Sequence, residues 1–203
     1  MKPIDILVPV YRGLAETRRC LDSILAFPQQ TPHEIVVIDD CSPESELSVW
    51  LRELAGSGAI TLLENPVNLG FVQTANRGMA LHPDREVVLL NSDTEVHGDW
   101  LDRLHRHAVS DPQVGTVTPF SNNATLCSYP RTMQDNPLPD DWPLAELDRL
   151  CAVVNAGQSV ELPTAVGFCM YITRRCLEQV GYFDAIRFGR GYGEENDFSM
   201  RAL

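Results

Sequence analysis

Residues 34–47 read EIVVIDDCSPESEL. Glu34 to Ile38 is a run of β-branched apolar residues too short for a helix, so it reads as a strand. It stops on two aspartates, Asp39 and Asp40. Ser42-Pro43-Glu44 then carries the marks of a helix start: an N-cap serine, proline at the first helical position and an acid in the first turn. Leu47, Trp50, Leu51 and Leu54 follow at helical spacing, and Gly56 and Gly58 close the helix. A wholly apolar strand feeding a helix through a polar turn is the repeating unit of a parallel sheet covered on both faces.

The same alternation extends on either side. Ile4 to Val10 (IDILVPV) is a strand, followed by a helix with Leu14, Leu21, Ile24 and Leu25 on one face. Ile60 to Leu63 is a third strand, Phe71 to Leu81 a helix, Glu86 to Leu90 a fourth strand, Trp100 to Val109 a helix and Val114 to Pro119 a fifth strand. The first 120 residues therefore specify an α/β fold with a mostly parallel sheet. Residues 121 to 160 are rich in Pro, Asn and Asp, with a short helix near Leu144 to Val154. Ala165 to Thr173 is one more strand, a short helix runs to Val180, and Gly181 to Leu203 turns from Gly-rich and acidic to helical.

Of 203 residues, 16 are Lys or Arg and 28 are Asp or Glu, for a net charge of −12. That sign repels phosphate backbones and argues against a nucleic-acid reader. A phosphate-bearing ligand would need a divalent cation held by carboxylates. The longest apolar runs are strand-sized, far short of the roughly 18 residues of a membrane helix. No signal peptide is visible before the first strand. Six cysteines (20, 41, 127, 151, 169, 176) lack CxxC spacing and read as buried or half-buried thiols rather than disulfides or zinc ligands.

Ligands of open parallel sheets bind beyond the carboxyl ends of the strands. Three such ends are polar here: Pro9-Val10-Tyr11, Asp39 to Ser42 and Asn91-Ser92-Asp93. Asp39 alone reads as a turn former. Gly70, opening a helix, marks a place where backbone N–H groups could hold a phosphate. There is no GxGxxG after the first strand and no GxxxxGK[ST]. His105 and His107, two apart on a helix, read as surface residues, and Trp100 as core.

Six segments in order, VPVYRG (8–13), VVIDDCSPE (36–44), NLGFVQTANRG (68–78), LLNSDTEV (89–96), TAVGFCMYITRR (164–175) and GYGEENDFSMR (191–201), resemble the family 2 inverting glycosyltransferases. The resemblance covers nearly the whole chain, and NLGF, NSDTEV and GFCMYI look closest to the bacterial, rhamnosyltransferase-like branch that builds surface polysaccharides. It implies a GT-A (nucleotide-diphospho-sugar transferase) fold over one domain, with residues 1–120 as the nucleotide-binding half and 121–203 as the acceptor-binding half. By its pattern the chain stops mid-helix at Leu203, as a piece of a longer protein would.

The resemblance also implies roles. Asp40 grips the base, and Pro9, Val10 and Tyr11 wall the base and ribose. Asn68, Gly70 and Asn76 close over the nucleotide. Asn91-Ser92-Asp93 stands where the family has Asp-x-Asp, a motif that holds Mg2+ or Mn2+ against the diphosphate; with Asn91 replacing the first acid, Asp93 is the metal ligand. The family's base is the second acid of a Glu-Asp pair, which here falls on Glu195, ahead of Glu194 and then Asp197. Gly167 and Phe168 match the wall near donor sugar and acceptor. The donor is a UDP- or dTDP-linked sugar and the acceptor a glycan or lipid-linked glycan, with the protein in the cytoplasm or peripheral to the inner face of a membrane. The rival reading is a nucleotide-sugar-binding module without turnover. A haloacid-dehalogenase-type phosphatase is disfavoured, because its acidic pair follows the first strand, which here ends in Pro-Val-Tyr.

Overall fold

The computed structural model describes residues 2–138 and 142–203. Strands β1 (Ile4–Val10), β2 (His33–Asp39), β3 (Thr61–Glu64), β4 (Val87–Leu90), β5 (Thr116–Val117) and β6 (Cys169–Ile172) form one sheet in the order β3-β2-β1-β4-β6-β5. β1 to β4 are parallel. β6 inserts between β4 and β5 and runs antiparallel to both. The expected strands at 114–119 and 165–173 are thus real but shorter, and the second is reversed.

The reversal matters for position. Leu90 pairs with Cys169, so the start of β6 lies at the same edge as the end of β4. Gly167 and Phe168 therefore meet the Asn91 motif: the Asn91 N–H donates to the Phe168 carbonyl at 2.8 Å.

Period-two alternation sorts each strand between two cores. Ile4, Ile6, Val8 and Val10 face helices α1 (Leu14–Ala26), α2 (Ser45–Gly56) and α4 (Trp100–Ala108), which contribute Leu21, Leu51 and Trp100. Leu7, Val36, Ile38 and Leu89 face α3 (Phe71–Met79), α6 (Arg174–Val180) and α8 (Glu194–Ala202), with Met79, Leu177 and Phe198. Because both faces are covered, the strands carry no polar stripe. α3 lies close on the sheet at Gly78, where a Cβ would come 2.7 Å from Ile38 Cδ1.

Helix α5 (Leu144–Val154) has no buried residue and is fastened by Arg103 to Asp148 at 2.6 Å. The short α7 (Ala185–Phe188) precedes α8, capped by the Asp184 carboxylate. Among the described residues no helix is long and apolar enough to cross a membrane.

Two local expectations change. Helix α2 is capped at Glu44, not Ser42; the Ser42 hydroxyl accepts from the Glu44 N–H inside the turn instead. His105 is not a free surface residue: its Nδ1 lies 2.9 Å from the Tyr171 hydroxyl, which donates to Glu86. Burial and the Glu86 carboxylate push the Tyr171 phenol far up.

Candidate active site

The loop after β2 organises the carboxyl edge of the sheet. Asp39, 3% exposed, accepts from the Ser42 N–H at 2.8 Å and the Ser48 hydroxyl at 2.6 Å, which closes its own turn. Asp40 reaches sideways. Its Oδ1 accepts from Asn65 Nδ2 at 2.7 Å and the Leu69 N–H at 2.8 Å, and its Oδ2 accepts from the Gly70 N–H at 2.8 Å. Glu44 reaches the other way, accepting from the N–H groups of Gly13 and Leu14 at 3.2 and 3.3 Å.

The starts of α1 and α3 are therefore each occupied by a carboxylate from this loop. A helix N-terminus attracts one anion, and here the chain supplies it. Gly70 consequently does not offer a free N–H to a phosphate: that group is taken by Asp40 and also faces Asn68 Oδ1 at 3.1 Å. What Gly70 provides is space. Its φ is +81°, and a Cβ would stand 3.0 Å from Arg190 Cα. Asp40, expected on the base, has both oxygens engaged with its own chain and is 4% exposed.

Other expected residues divide similarly. Val10 is in the core at 1% exposure, so only its backbone faces the edge, where its carbonyl accepts from the Asp40 N–H. Pro9 lies in register with Ile38, and Tyr11 is exposed with the Arg12 guanidinium 5.2 Å from its ring centre. Asn76 does not face the edge as a free amide. It forms a two-way pair with the Phe183 backbone, donating at 2.9 Å and accepting at 3.0 Å, which bolts α3 to the segment leading into α8.

At the end of β4, Asn91-Ser92-Asp93 makes a turn closed by the Thr94 N–H on the Asn91 carbonyl at 3.1 Å. Asp93 is exposed, and among the described residues its carboxylate has no ion pair or hydrogen-bond partner. A free carboxylate is a hard oxygen donor of the kind Mg2+ or Mn2+ takes. Its charge also reaches Cys20, whose thiol is pushed up to about 12, first by burial and then by Asp93 and Glu95. Gly167, with open space where a Cβ would be, lies just beyond the Asn91 to Phe168 bond.

The acids of α8 differ sharply. Asp197 is paired with Arg201 at 2.8 Å and Arg187 at 3.6 Å, which commits it to holding the helix. Glu194 is 6% exposed, and burial followed by the charge of Glu195 raises its carboxyl. Glu195 is half-buried, with an Oε2 that, like that of Glu194, is shielded and unpartnered. A connected path joins it to the metal-type motif: the Glu195 carbonyl accepts from the Ser199 hydroxyl, Ser199 Oγ accepts from the Ala165 N–H, and two residues beyond Val166 the Phe168 carbonyl holds Asn91. On its other side, the Arg190 carbonyl accepts from the Phe71 N–H, tying α8's approach to the start of α3. Sequence reasoning did not foresee these ties, since they rest on backbone groups and on Ser199, which carry no motif.

A second charged cluster, Asp5, Glu34 and His82, has ligand-type atoms within 4.8 Å of one another. It lies at the opposite, amino edge of the sheet. Arg85 Nη1 already bridges Asp5 at 2.8 Å and Glu34 at 2.5 Å, so a cation is built in, and this cluster does not bear on the carboxyl-edge site.

The fold matches known proteins. Solved structures with similar folds include the mannosyltransferase PcManGT from Pyrobaculum calidifontis in complex with GDP-Man and Mn2+ (20% identity, TM-score 0.64, 97% of this chain and 50% of that one). GalNAc-T7 with UDP, GalNAc and Mn2+ superposes with a TM-score of 0.72 at 19% identity over 98% of this chain and 40% of that one. S. aureus TarS 1-349 gives 0.65 at 15% identity over 99% and 55%. The chain thus spans about half the length of these structures, and the likeness establishes a GT-A glycosyltransferase fold. The family described as Glycosyl transferase family 2 matches residues 5–181, most of the chain, and the protein belongs to that family.

Proposed function

We propose that the chain moves a sugar from a nucleoside diphosphate sugar to an acceptor hydroxyl with inversion at C1. The donor is UDP- or dTDP-linked, and the acceptor is a glycan or lipid-linked glycan of a surface polysaccharide, as in the rhamnosyltransferase-like branch. The reaction takes place on the cytoplasmic side, free or peripheral to the membrane. The observation that carries this reading is the exposed, unpaired Asp93 carboxylate at the end of β4, joined through Phe168, Ala165 and Ser199 to Glu195 with its unpartnered oxygen.

In this reading Asp93, with the Asn91 amide oxygen, holds Mg2+ or Mn2+. When bound, the ion supplies positive charge to the departing diphosphate. Pro9, the Val10 backbone and Tyr11 line the base and ribose side. Asp40 keeps Asn68 to Gly70 folded against that side. Glu195 removes the proton from the acceptor hydroxyl as its oxygen forms a bond to C1; the C1–O bond to the diphosphate breaks with its electron pair, and the nucleoside diphosphate leaves.

A thermal-shift screen of UDP-, dTDP- and GDP-sugars with and without Mn2+ tests this. The expected result is stabilisation by one donor class that needs Mn2+ and disappears in Asp93→Ala. Stabilisation independent of both metal and Asp93 would remove the metal role. A donor that binds but is neither hydrolysed nor transferred would favour the binding-module alternative.

A further inference from the structure

Resting on that reading, we propose that Tyr192 is the acceptor-binding residue of this site: its ring is the platform on which a pyranose of the acceptor stacks while the hydroxyl to be glycosylated faces Glu195. Tyr192 is 98% exposed. Its φ is +76°, in the left-handed region that a tyrosine rarely adopts. Single exposed apolar residues need no explanation. An aromatic held outward on a disfavoured backbone does, because an unconstrained loop would relax and lay the ring down.

The constraint is visible on both sides. Upstream, the Arg190 backbone is wedged against Gly70, and its carbonyl accepts from the Phe71 N–H. The Gly191 N–H donates to the Phe188 carbonyl at 3.0 Å. Downstream, Gly193 (φ +97°) passes so near the Phe188 ring that a Cβ would stand 3.2 Å from it, and Glu194 is buried. Tyr192 is the apex of a turn pinned at its two feet, and the turn presents one ring to solvent.

Its place fits an acceptor. Glu195 follows Tyr192 by three positions, so their Cα atoms are at most about 11 Å apart. The face of a phenol ring is electron-rich and meets the C–H face of a pyranose well, while the hydroxyl can donate to or accept from the sugar's own hydroxyls. Trp142 is the other exposed aromatic of interest. It sits over an open cleft of about 360 Å3 with Pro143, Glu146, Arg149 and Leu150. It belongs to the α5 segment, which has no hydrogen bond to α8 among the described residues.

The test uses methyl glycosides of glucose, galactose, mannose, rhamnose and N-acetylglucosamine in saturation-transfer NMR, with and without the nucleoside diphosphate and Mn2+. Wild type, Tyr192→Phe and Tyr192→Trp should saturate the C–H protons of one sugar face for at least one glycoside. Tyr192→Ala should bind that glycoside about tenfold more weakly or worse. The Mn2+-dependent donor shift should be the same in all four proteins. Undiminished sugar binding in Tyr192→Ala, loss of the donor shift in that variant, or no glycoside binding by wild type would each overturn the proposal. Because the titration is also run without nucleotide, its outcome is independent of whether a donor is found.

Discussion

The Asp40 carboxylate holds the Gly70 N–H at 2.8 Å across 30 residues of sequence. Asp40→Ala would orphan the Leu69 N–H and leave the Gly70 N–H with Asn68 Oδ1 and the Asn65 amide with the Thr74 hydroxyl as their remaining partners. Charged hydrogen bonds of this kind contribute about 1.5–3 kcal/mol each and are not additive, so a loss of about 3 kcal/mol is expected. For a chain of this size that is a fall in Tm of roughly 6–12 °C. Circular dichroism measures it, and faster hydrogen exchange at Leu69 and Gly70 locates it.

The proposed function assigns the base to Glu195 and a scaffold role to Asp197. Glu195→Gln should lower kcat by about 10²–10⁴-fold with the donor affinity retained. Asp197→Asn loses pairs to Arg201 and Arg187 near the surface. It should cost about 1 kcal/mol or less and leave kcat within a few-fold. The reverse pattern in steady-state kinetics would move the base to Asp197.

Glu194 makes stability depend on pH. Its folded carboxyl is raised by burial, so its favourable contribution is complete below the unfolded value near 4.5 and is lost as pH rises through the folded value. Glu194→Gln should therefore have a higher Tm than wild type at pH 7.5. The gap should close as pH approaches 4. Equal Tm values at pH 7.5 would show that the buried carboxylate is compensated.

At the amino edge, Arg85→Met leaves Asp5, fully buried, without its guanidinium. Loss of one partner of such a pair costs about 3 kcal/mol or more. Asp5→Asn, in contrast, should leave the Mn2+ dependence of donor binding unchanged. A tenfold change in Mn2+ affinity in Asp5→Asn, read by isothermal titration, would make this cluster the metal site.

Cys41 is the exposed thiol, one residue past Asp40, while Cys20, Cys127, Cys169 and Cys176 are buried, with thiols raised by burial. Iodoacetamide at pH 8 should label Cys41 first, as read by peptide mass spectrometry. A bound donor with Mn2+ should slow that labelling if the nucleotide covers the end of β2.

Sequence periodicity was enough for the layers. The strands β1, β2, β4 and β6 and the helices that pack on them fall where apolar spacing puts them, because those strands are buried on both faces and those helices on one. The reversal of β6 was hidden, since a four-residue apolar strand reads the same in either direction. Ser42 looked like a cap by residue type, but the helix begins three residues later because Asp39 captures the Ser42 N–H. His105 lacked an i+3 or i+4 partner on its own helix, and its partner came from β6, 66 residues away. At the site, the exposed Asp93 could be picked from its strand-end position. The contacts of Asn76 and Asp40 were not legible, because their partners are backbone groups of distant segments and, for Asp40, the Asn65 amide.

The three carboxylates of the β2–α2 loop are satisfied before any ligand arrives. Asp39 fixes the loop, Asp40 fixes the start of α3 and Glu44 fixes the start of α1. This side of the carboxyl edge is thus preorganised, and under the proposed function little ordering entropy would be spent there on binding a nucleotide.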